Sequence, residues 1–303
     1  MVKVGIVTVL YNSETVLEGF LKSLDEQVFT DFVLYIIDNK SPDKSLTIAE
    51  ELTMKKKFKT EIIPLEQNYG VAYGNNVGIR AALKDKCNYI LLANNDITFN
   101  PDALSYLIDG IEQNNVSMAS AKIYYHNTDM LWYAGGYFNW MCNNIHRGIN
   151  RKDDARFNKS CIVEFAPSCF LLIKADVFER VGLMDERYFV YYDDTDFIWR
   201  ATQKGKEKIF YIPKAIVYHK VSNSVKNNSD FTLRQKYKNR HLFIRKNISP
   251  AKRLFILAII NVFLMIYAPY IYSKKQMAII AEALKEGRKL SKFLLIVCHQ
   301  ICL

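Results

Sequence analysis

Short apolar runs alternate with helical patterns along the first hundred residues. The runs at 4–10, 32–37 and 61–65 predict buried strands, and each is followed by a polar turn. Between the strands, apolar residues recur at helical spacing over 16–28 and again over 45–52. This alternation favours βαβ units and a parallel sheet.

The most pronounced run is Y-I-L-L-A-N-N-D-I-T at 89–98, which predicts a buried strand ending at Asn94, Asn95 and Asp96. Ligands of open α/β sheets bind beyond the carboxyl ends of the strands, so amide and carboxylate groups there are suited to a metal and its phosphates. Directly afterwards, Asn100 is predicted to cap a helix that has Pro101 in its first turn.

The alternation becomes irregular after this helix. Strands are predicted at 116–124, 131–138 and 162–173, then a helix at 175–181 and two short strands at 210–212 and 215–218. The polar segment 143–159 is predicted to be a mobile loop, either simply solvated or acting as a lid over an acceptor.

Three glycines, Gly70, Gly74 and Gly78, lie four residues apart, which is not the dinucleotide-binding fingerprint. One interpretation is a thin helix face that lies close to the sheet. The other adds that Asn75 and Asn76 project toward a nucleotide.

Three aspartates, Asp193, Asp194 and Asp196, fall within four residues among aromatic neighbours. They could simply favour a helix N-terminus. Alternatively, partial desolvation raises their proton affinity toward that of a general base. Further on, His219 follows the last predicted strand, and beside Asp96 it could be a second ligand of a divalent ion.

Composition narrows the class of protein. The 303 residues allow one α/β domain with an appendage, and the net charge of +10 indicates a polyanionic partner. No nucleic-acid-binding module is recognisable, so we expect a phosphate-bearing substrate or an anionic membrane instead. The six cysteines are scattered and the N-terminus reads as a strand, not as a signal peptide, which favours a reducing, cytosolic setting.

The composition shifts after residue 248, and we divide the chain into a domain at 1–248 and a helical tail at 249–303. Residues 254–272 are apolar with basic flanks, but Asn261 and Pro269 interrupt the run. We expect a helix lying in the plane of an anionic membrane surface; a true span, and a packing helix or homo-oligomer contact, are the alternatives.

Seven motifs in fixed order carry a family resemblance: T-V-L-Y-N-S at 8–13, I-D-N-K-S-P-D at 37–43, N-Y-G at 68–70, N-N-D at 94–96, M-D-E at 184–186, Y-D-D-T-D at 192–196, and His219. Together they resemble the inverting family 2 glycosyltransferases, especially the rhamnosyltransferase-like branch. The resemblance covers about 4–246 and implies the GT-A fold, an α/β mixed sheet flanked by helices. It places a nucleotide-binding half at 1–115 and an acceptor-binding half at 116–248.

The resemblance implies a role for each matching residue. A nucleotide-sugar donor, dTDP-rhamnose or a UDP-sugar, would be bound by Thr8, Asn12, Asp38, Asp43, Asn68, Asn75, Asn94 and Asn95. Asp96 would bind Mg²⁺ or Mn²⁺ with help from His219, because Asn94 replaces the first carboxylate of the D-x-D motif. Asp194 would be the catalytic base, and the acceptor or supporting residues would be Tyr192, Asp193, Asp196, Arg200 and Arg240.

The implied reaction is a single displacement that inverts the configuration of the transferred sugar. The resemblance implies a lipid-linked saccharide as the acceptor and a peripheral location at the cytoplasmic face of the plasma membrane. The implied process is the synthesis of a bacterial surface polysaccharide such as O-antigen. Two other functions compete with it. A nucleotidyltransferase would have a glycine-rich loop after the first strand, where this chain has Y-N-S-E. A catalytically silent, membrane-bound binding protein would keep the fold but lack the metal-binding carboxylate that Asn94 replaces.

Overall fold

The computed structural model describes residues 2–221 and 230–301. Within them the chain forms thirteen strands: β1 Val4–Leu10, β2 Phe32–Asp38, β3 Lys59–Pro64, β4 Tyr89–Ala93, β5 Ile97–Phe99, β6 Met118–Tyr125, β7 Met130–Tyr133, β8 Gly136–Phe138, β9 Asn144–His146, β10 Arg151–Lys152, β11 Cys161–Val163, β12 Phe170–Lys174 and β13 Ile209–His219. The helices are α1 Leu17–Asp25, α2 Ser45–Thr53, α3 Val71–Lys84, α4 Ala103–Asn114, α5 Asp176–Val181, α6 Asp193–Trp199, α7 Asp230–Asn247, α8 Pro250–Ile266, α9 Ala268–Ile271 and α10 Lys274–Ile301.

The first four strands form the predicted parallel sheet, in the order β4-β1-β2-β3. Strands β1, β2 and β4 are buried almost throughout, as expected for a sheet covered on both faces. Because all four strands point the same way, the polar turns that follow them meet at one edge of the sheet.

The second half extends the sheet with mixed pairing. Strand β12 runs antiparallel to β4, β6 pairs antiparallel with β12, and β13 runs parallel to β6 with a register shift between Ile212 and Ile216. The single strand predicted at 162–173 is wrong: β11 pairs with β13, whereas β12 lies between β4 and β6. The strand predicted at 131–138 is likewise divided into β7 and β8.

The prediction of a mobile loop at 143–159 is also wrong. Strand β9 pairs with β8, strand β10 pairs with β7, and a 3₁₀ turn follows at Ala155–Phe157. Lys122, only 2% exposed, holds this segment because its ammonium group lies 2.7 Å from Asp153 and also donates to Asn158. A buried lysine requires such partners, and they come from the segment itself.

The glycines of α3 form the thin face that the spacing suggested. A Cβ added at Gly78 would contact Val7 and lie 2.9 Å from Ile37, and one at Gly74 would lie 2.8 Å from Val9. Helix α3 therefore packs directly on β1.

The cap predicted at Asn100 is wrong. Helix α4 begins at Ala103, and the Asn100 side chain instead donates to the Lys214 carbonyl and accepts from the Ile216 amide at 2.8 Å. Asn100 thus ties the start of α4 to the bulge in β13.

The C-terminal helices share a second apolar cluster with the main domain. Ile256 and Ile260 of α8 are buried with Leu242 and Phe243 of α7 and with Tyr188. The other side of α8 and α9 exposes large apolar residues: Leu254, Phe255, Val262, Phe263, Met265, Ile266, Tyr267, Tyr270 and Ile271. Among the described helices, none has both the length and the apolar character required to cross a bilayer.

Candidate active site

A cavity of about 640 Å³ opens at the carboxyl edge of the sheet, between the parallel half and α7. Six residues predicted from the sequence line it: Asn94, Tyr192, Asp193, Asp194, His219 and Arg240. Other residues of its wall were not predicted: Trp132, Asn144, His146, Ser168, Cys169 and Lys236. His219, the predicted metal ligand, and Asp194, the predicted base, therefore line the same cavity.

Asp193 and Asp194 open α6, where the helix dipole favours negative charge. The Asp194 carboxylate accepts from the Thr195 amide at 2.6 Å and from the Thr195 hydroxyl at 3.1 Å. Burial raises the pKa of Asp193, and the charge of Asp194 raises it further. Burial also raises the pKa of Asp194. Two carboxyl groups with raised proton affinity are thus placed in a saccharide-sized cavity.

The turn before α6 holds an unusual backbone conformation. Tyr191 and Tyr192 both have positive φ, 65° and 68°, which side-chain-bearing residues adopt rarely. The Asn239 amide on α7 donates to the carbonyls of Val190 and Tyr191 at 2.8 and 2.9 Å. Helix α7 therefore fixes the turn that sets the direction of the Asp194 side chain.

Asp196 and Arg200 lie beneath the cavity and do not line its wall. Asp196 is fully buried and accepts from Arg200 at 2.9 Å, from Lys246 at 2.7 Å and from Asn247 at 2.7 Å. Arg200 also donates to the carbonyls of Val181 and Leu183, each at 2.6 Å. Their contacts anchor α6 and do not face an acceptor.

Asp96 and His219 lie against each other at the end of β13, with Oδ1 of Asp96 3.1 Å from Nε2 of His219. Burial opposes protonation of this imidazole, but Cys169 and Asp96 raise the pKa of His219 to about 10. Within the described residues there is no cluster of three or more His, Cys, Asp or Glu side chains arranged to hold a metal.

Asp96 and His219 fit a divalent ion only once the ion displaces the proton from His219, because only a neutral imidazole binds a metal. Ligands about 2.1 Å from an octahedral ion lie about 3 Å apart when adjacent, which is the separation of the Asp96 oxygen and the His219 nitrogen. Magnesium commonly takes one or two protein ligands and completes its shell with substrate phosphate and water.

The predicted nucleotide residues follow the parallel strands. Asp38 ends β2, and Thr8 is buried in β1 with a hydroxyl that has no hydrogen-bond partner in the described chain. Asp43 accepts from Ser45 and from the Glu14 amide, joining the turns after β1 and β2. Although burial opposes the charge, these bonds lower the pKa of Asp43.

The remaining asparagines have different positions. Asn12 has a left-handed backbone with φ of 55°, and Asn68 accepts from the Gly70 amide. Asn95 is buried and donates to the Val9 carbonyl at 2.7 Å. Asn75 is buried against the Met184 sulfur, so in this structure it ties α3 to the loop before α6 and does not line the cavity.

The residues that the sequence reasoning missed come mainly from the β7–β9 region. Trp132 lies between two imidazoles, its ring centroid 4.7 Å from those of His219 and His146 in edge contacts. The only local signal is the apolar pattern of β7, because residues 143–159 have the composition of a loop.

Comparison with known proteins identifies the class. The family model "Glycosyl transferase family 2" matches residues 5–182. The chain belongs to this family, and the structure shows its GT-A-like α/β fold with a mixed sheet flanked by helices. It is therefore a glycosyltransferase.

Among the relatives named as rhamnosyltransferases, two cover about four fifths of this chain. The dTDP-rhamnosyl transferase RfbF of Shigella flexneri is 24% identical over 258 residues, covering 80% of each chain. The N-acetylglucosaminyl-diphospho-decaprenol L-rhamnosyltransferase of Mycobacterium tuberculosis is 22% identical over 263 residues, 79% of this chain and 83% of the relative. A solved mannosyltransferase, PcManGT of Pyrobaculum calidifontis in complex with GDP-Man and Mn²⁺, has a TM-score of 0.57 at 13% identity, covering 99% of this chain and 80% of its own.

Proposed function

We propose that this chain is an inverting rhamnosyltransferase that moves rhamnose from dTDP-rhamnose to a lipid-linked saccharide, in the synthesis of a bacterial surface polysaccharide. The observation that carries the proposal is the single cavity lined by Asn94, His219 and Asp194. The names of the two rhamnosyltransferase relatives support the choice of donor and of a lipid diphosphate acceptor.

The base is Asp194. Its carboxylate takes the proton of an acceptor hydroxyl while that oxygen forms a bond to the anomeric carbon and the bond from this carbon to the diphosphate oxygen breaks. Burial raises its pKa, which strengthens it as a base, and the Thr195 amide holds the carboxylate in place. One displacement on the face opposite the leaving group inverts the sugar.

Asp96 and His219 are the residues that would hold Mg²⁺ or Mn²⁺, which supplies positive charge at the diphosphate as the sugar bond breaks. Arg240 lines the same cavity, and its guanidinium Nε is buried without a hydrogen-bond partner in the described chain. Arg240 is thus available to an anionic group of the substrates.

The test is release of nucleoside diphosphate from a panel of dTDP- and UDP-sugars, with Mg²⁺, Mn²⁺ or chelator, by wild type and Asp194→Asn. We expect dTDP-rhamnose to be used best and the variant to lose about 10²- to 10⁴-fold in transfer, the usual contribution of a general base. Asp154→Asn, in the exposed pair with Arg156, is the matched control. Full transfer by Asp194→Asn would refute the base, and a wild type that uses no donor would refute the activity.

We further propose that α8 and α9 lie on an anionic membrane surface. Leu254, Met265 and Tyr270 are 74%, 78% and 89% exposed. The apolar surface has basic residues at both ends, Lys252 with Arg253 and Lys274 with Lys275. Apolar insertion with flanking positive charge suits a bilayer rich in acidic lipid.

Flotation with vesicles tests this placement. The protein should float with phosphatidylglycerol vesicles and less with phosphatidylcholine vesicles, and Leu254→Ser with Met265→Ser should abolish flotation. Met54→Ser, at an apolar residue 83% exposed elsewhere, is the control. Equal flotation of both variants would contradict the placement, and a concentration-dependent dimer lost only in the double variant would assign the surface to self-association.

A further inference from the structure

The side chain of His146 is fixed in one tautomer. Its Nδ1 lies 3.1 Å from the carbonyl oxygen of Trp132. A carbonyl oxygen only accepts, so Nδ1 carries the hydrogen and Nε2 of the neutral ring is left with a lone pair. The second nitrogen is therefore a hydrogen-bond acceptor.

The ring is neutral and cannot turn freely. Burial lowers the pKa of His146 to about 4. Trp132 and Tyr133 contact the imidazole edge-on, at centroid distances of 4.7 and 5.4 Å, and Phe165 stacks on it at 5.7 Å. Aromatic contacts on three sides fix the direction of Nε2.

Nε2 has no partner within residues 2–221 and 230–291, and His146 lines the same cavity as Asp193 and Asp194. A neutral, fixed lone pair attracts a group with a hydrogen to donate. It offers nothing to a phosphate or carboxylate oxygen at neutral pH, whereas every free hydroxyl of a sugar ring is a suitable donor.

We infer that His146 is a specificity-determining residue whose Nε2 accepts a hydrogen bond from one ring hydroxyl of the saccharide in the cavity. This inference rests on the proposed function. The hydroxyl that donates this hydrogen bond belongs either to the donor sugar or to the acceptor sugar.

Two substitutions test the role of Nε2 separately from the role of Nδ1, which bonds to the Trp132 carbonyl. In His146→Asn the amide nitrogen can still donate to the Trp132 carbonyl, but nothing replaces Nε2. In His146→Gln the longer amide can bring its oxygen to the position of Nε2. We expect His146→Asn to lose about tenfold in kcat/KM, the effect of one neutral hydrogen bond, and His146→Gln to recover most of it.

The control is His241→Asn on α7. Burial also lowers the pKa of His241 to about 4, but this residue faces α10 and does not line the cavity. Its kcat/KM should match that of the wild type. If His146→Asn fails to fold, judged by thermal melting, His146→Ser, which also has no group at the position of Nε2, takes its place in the measurements below.

Deoxygenated substrates identify the hydroxyl. Wild type, His146→Asn and the control are first assayed for hydrolysis of dTDP-rhamnose and of its 2-, 3- and 4-deoxy forms. The same proteins are then assayed for transfer from these donors to an N-acetylglucosaminyl diphospholipid and to deoxy forms of that acceptor. One deoxy substrate should cost the wild type about tenfold and cost His146→Asn nothing further. Coupling seen in hydrolysis assigns the donor sugar, and coupling seen only with deoxy acceptors assigns the acceptor.

Additive losses for every deoxy substrate in an active wild type would overturn this inference and leave the proposed function intact. Wild-type kcat/KM in His146→Asn would do the same. A wild type that neither hydrolyses nor transfers from any donor would overturn the proposed function and this inference with it.

Discussion

Nε2 of His219 lies 3.1 Å from the Asp96 carboxylate because β13 and β5 pair antiparallel with His219 opposite Ile97. The Lys220 amide also donates to the Asp96 carbonyl at 2.9 Å, which fixes the backbones on both sides. Two groups separated by more than one hundred residues in sequence are thus held at the spacing of adjacent metal ligands by strand register.

Removing either group should weaken the response to metal. For His219→Asn and Asp96→Asn we expect the Mg²⁺ or Mn²⁺ concentration at half-maximal donor turnover to rise about 10- to 100-fold, and chelator to abolish turnover by the wild type. Initial rates measured against metal concentration test this. His126→Asn, on the turn after β6, should leave the metal response unchanged; an unchanged response in Asp96→Asn would contradict the assignment.

The rate should depend on pH through the carboxyl pair. Burial and the charge of Asp194 raise the pKa of Asp193, and burial raises that of Asp194, so the base becomes protonated at a pH above the ordinary aspartate value of about 3.9. Activity therefore falls as pH decreases through this raised pKa. Asp193→Asn removes one charge and should move the acid limb of kcat/KM to lower pH.

A profile from pH 4 to 9 measures that shift. Folding stability should change with pH in the direction opposite to activity. Because the pKa of Asp193 is higher in the folded than in the unfolded protein, stability is lost as the pH rises from the unfolded-state pKa toward the folded-state pKa. Asp193→Asn should therefore be more stable than the wild type at neutral pH. An acid limb at the same pH in both proteins would show that Asp193 does not tune the base.

The buried Asp196 network should dominate the stability of the α6–α7 junction. Asp196→Ala leaves Lys246 and Arg200 without their shared acceptor, which typically costs about 3–5 kcal/mol of unfolding free energy. Equilibrium urea unfolding measures it. Asp129→Ala, whose pair with Lys152 is 65% and 78% exposed, should cost about 1 kcal/mol or less. Similar losses in both variants would refute the network's role.

The close approach of α3 to β1 predicts a cost for a single methyl group. Gly78→Ala should lose about 1–3 kcal/mol, because the new Cβ overlaps Val7 and Ile37 in a packed core. Gly19→Ala in α1 is the matched control, since its Cβ would meet only the Thr98 methyl at 3.3 Å. Thermal melting of the two variants compares them, and a Gly78→Ala protein as stable as Gly19→Ala would contradict the packing argument.

The parallel half of the fold was predictable from sequence because its signals are local. The apolar runs of β1, β2 and β4 end in polar turns, and parallel strands bring those turns together without further information. The shared cavity of Asp194 and His219 was implied only by the family resemblance, because Asp194 opens α6 after a loop and does not follow a parallel strand.

The second half of the sheet was less predictable because distant partners stabilise it. Residues 143–159 have the composition of a loop, yet Lys122, thirty-one positions before Asp153, holds them in place. His146 and Trp132 join the cavity only through that pairing. Similarly, Asn100 has the local sequence of a helix cap, but the backbone of β13 provides both of its bonds.

The Asn239 bonds to the turn at Val190 and Tyr191 have a consequence for chimeric enzymes. The family model ends at residue 182, whereas the Asp194 turn, His219 and the helix that carries Asn239 all come later. Grafting everything after residue 182 from one relative onto another would transfer the proposed base together with the helix that orients it. A junction placed between α6 and α7 would instead combine the turn of one parent with the Asn239-bearing helix of the other. Such hybrids should fold but have low transferase activity.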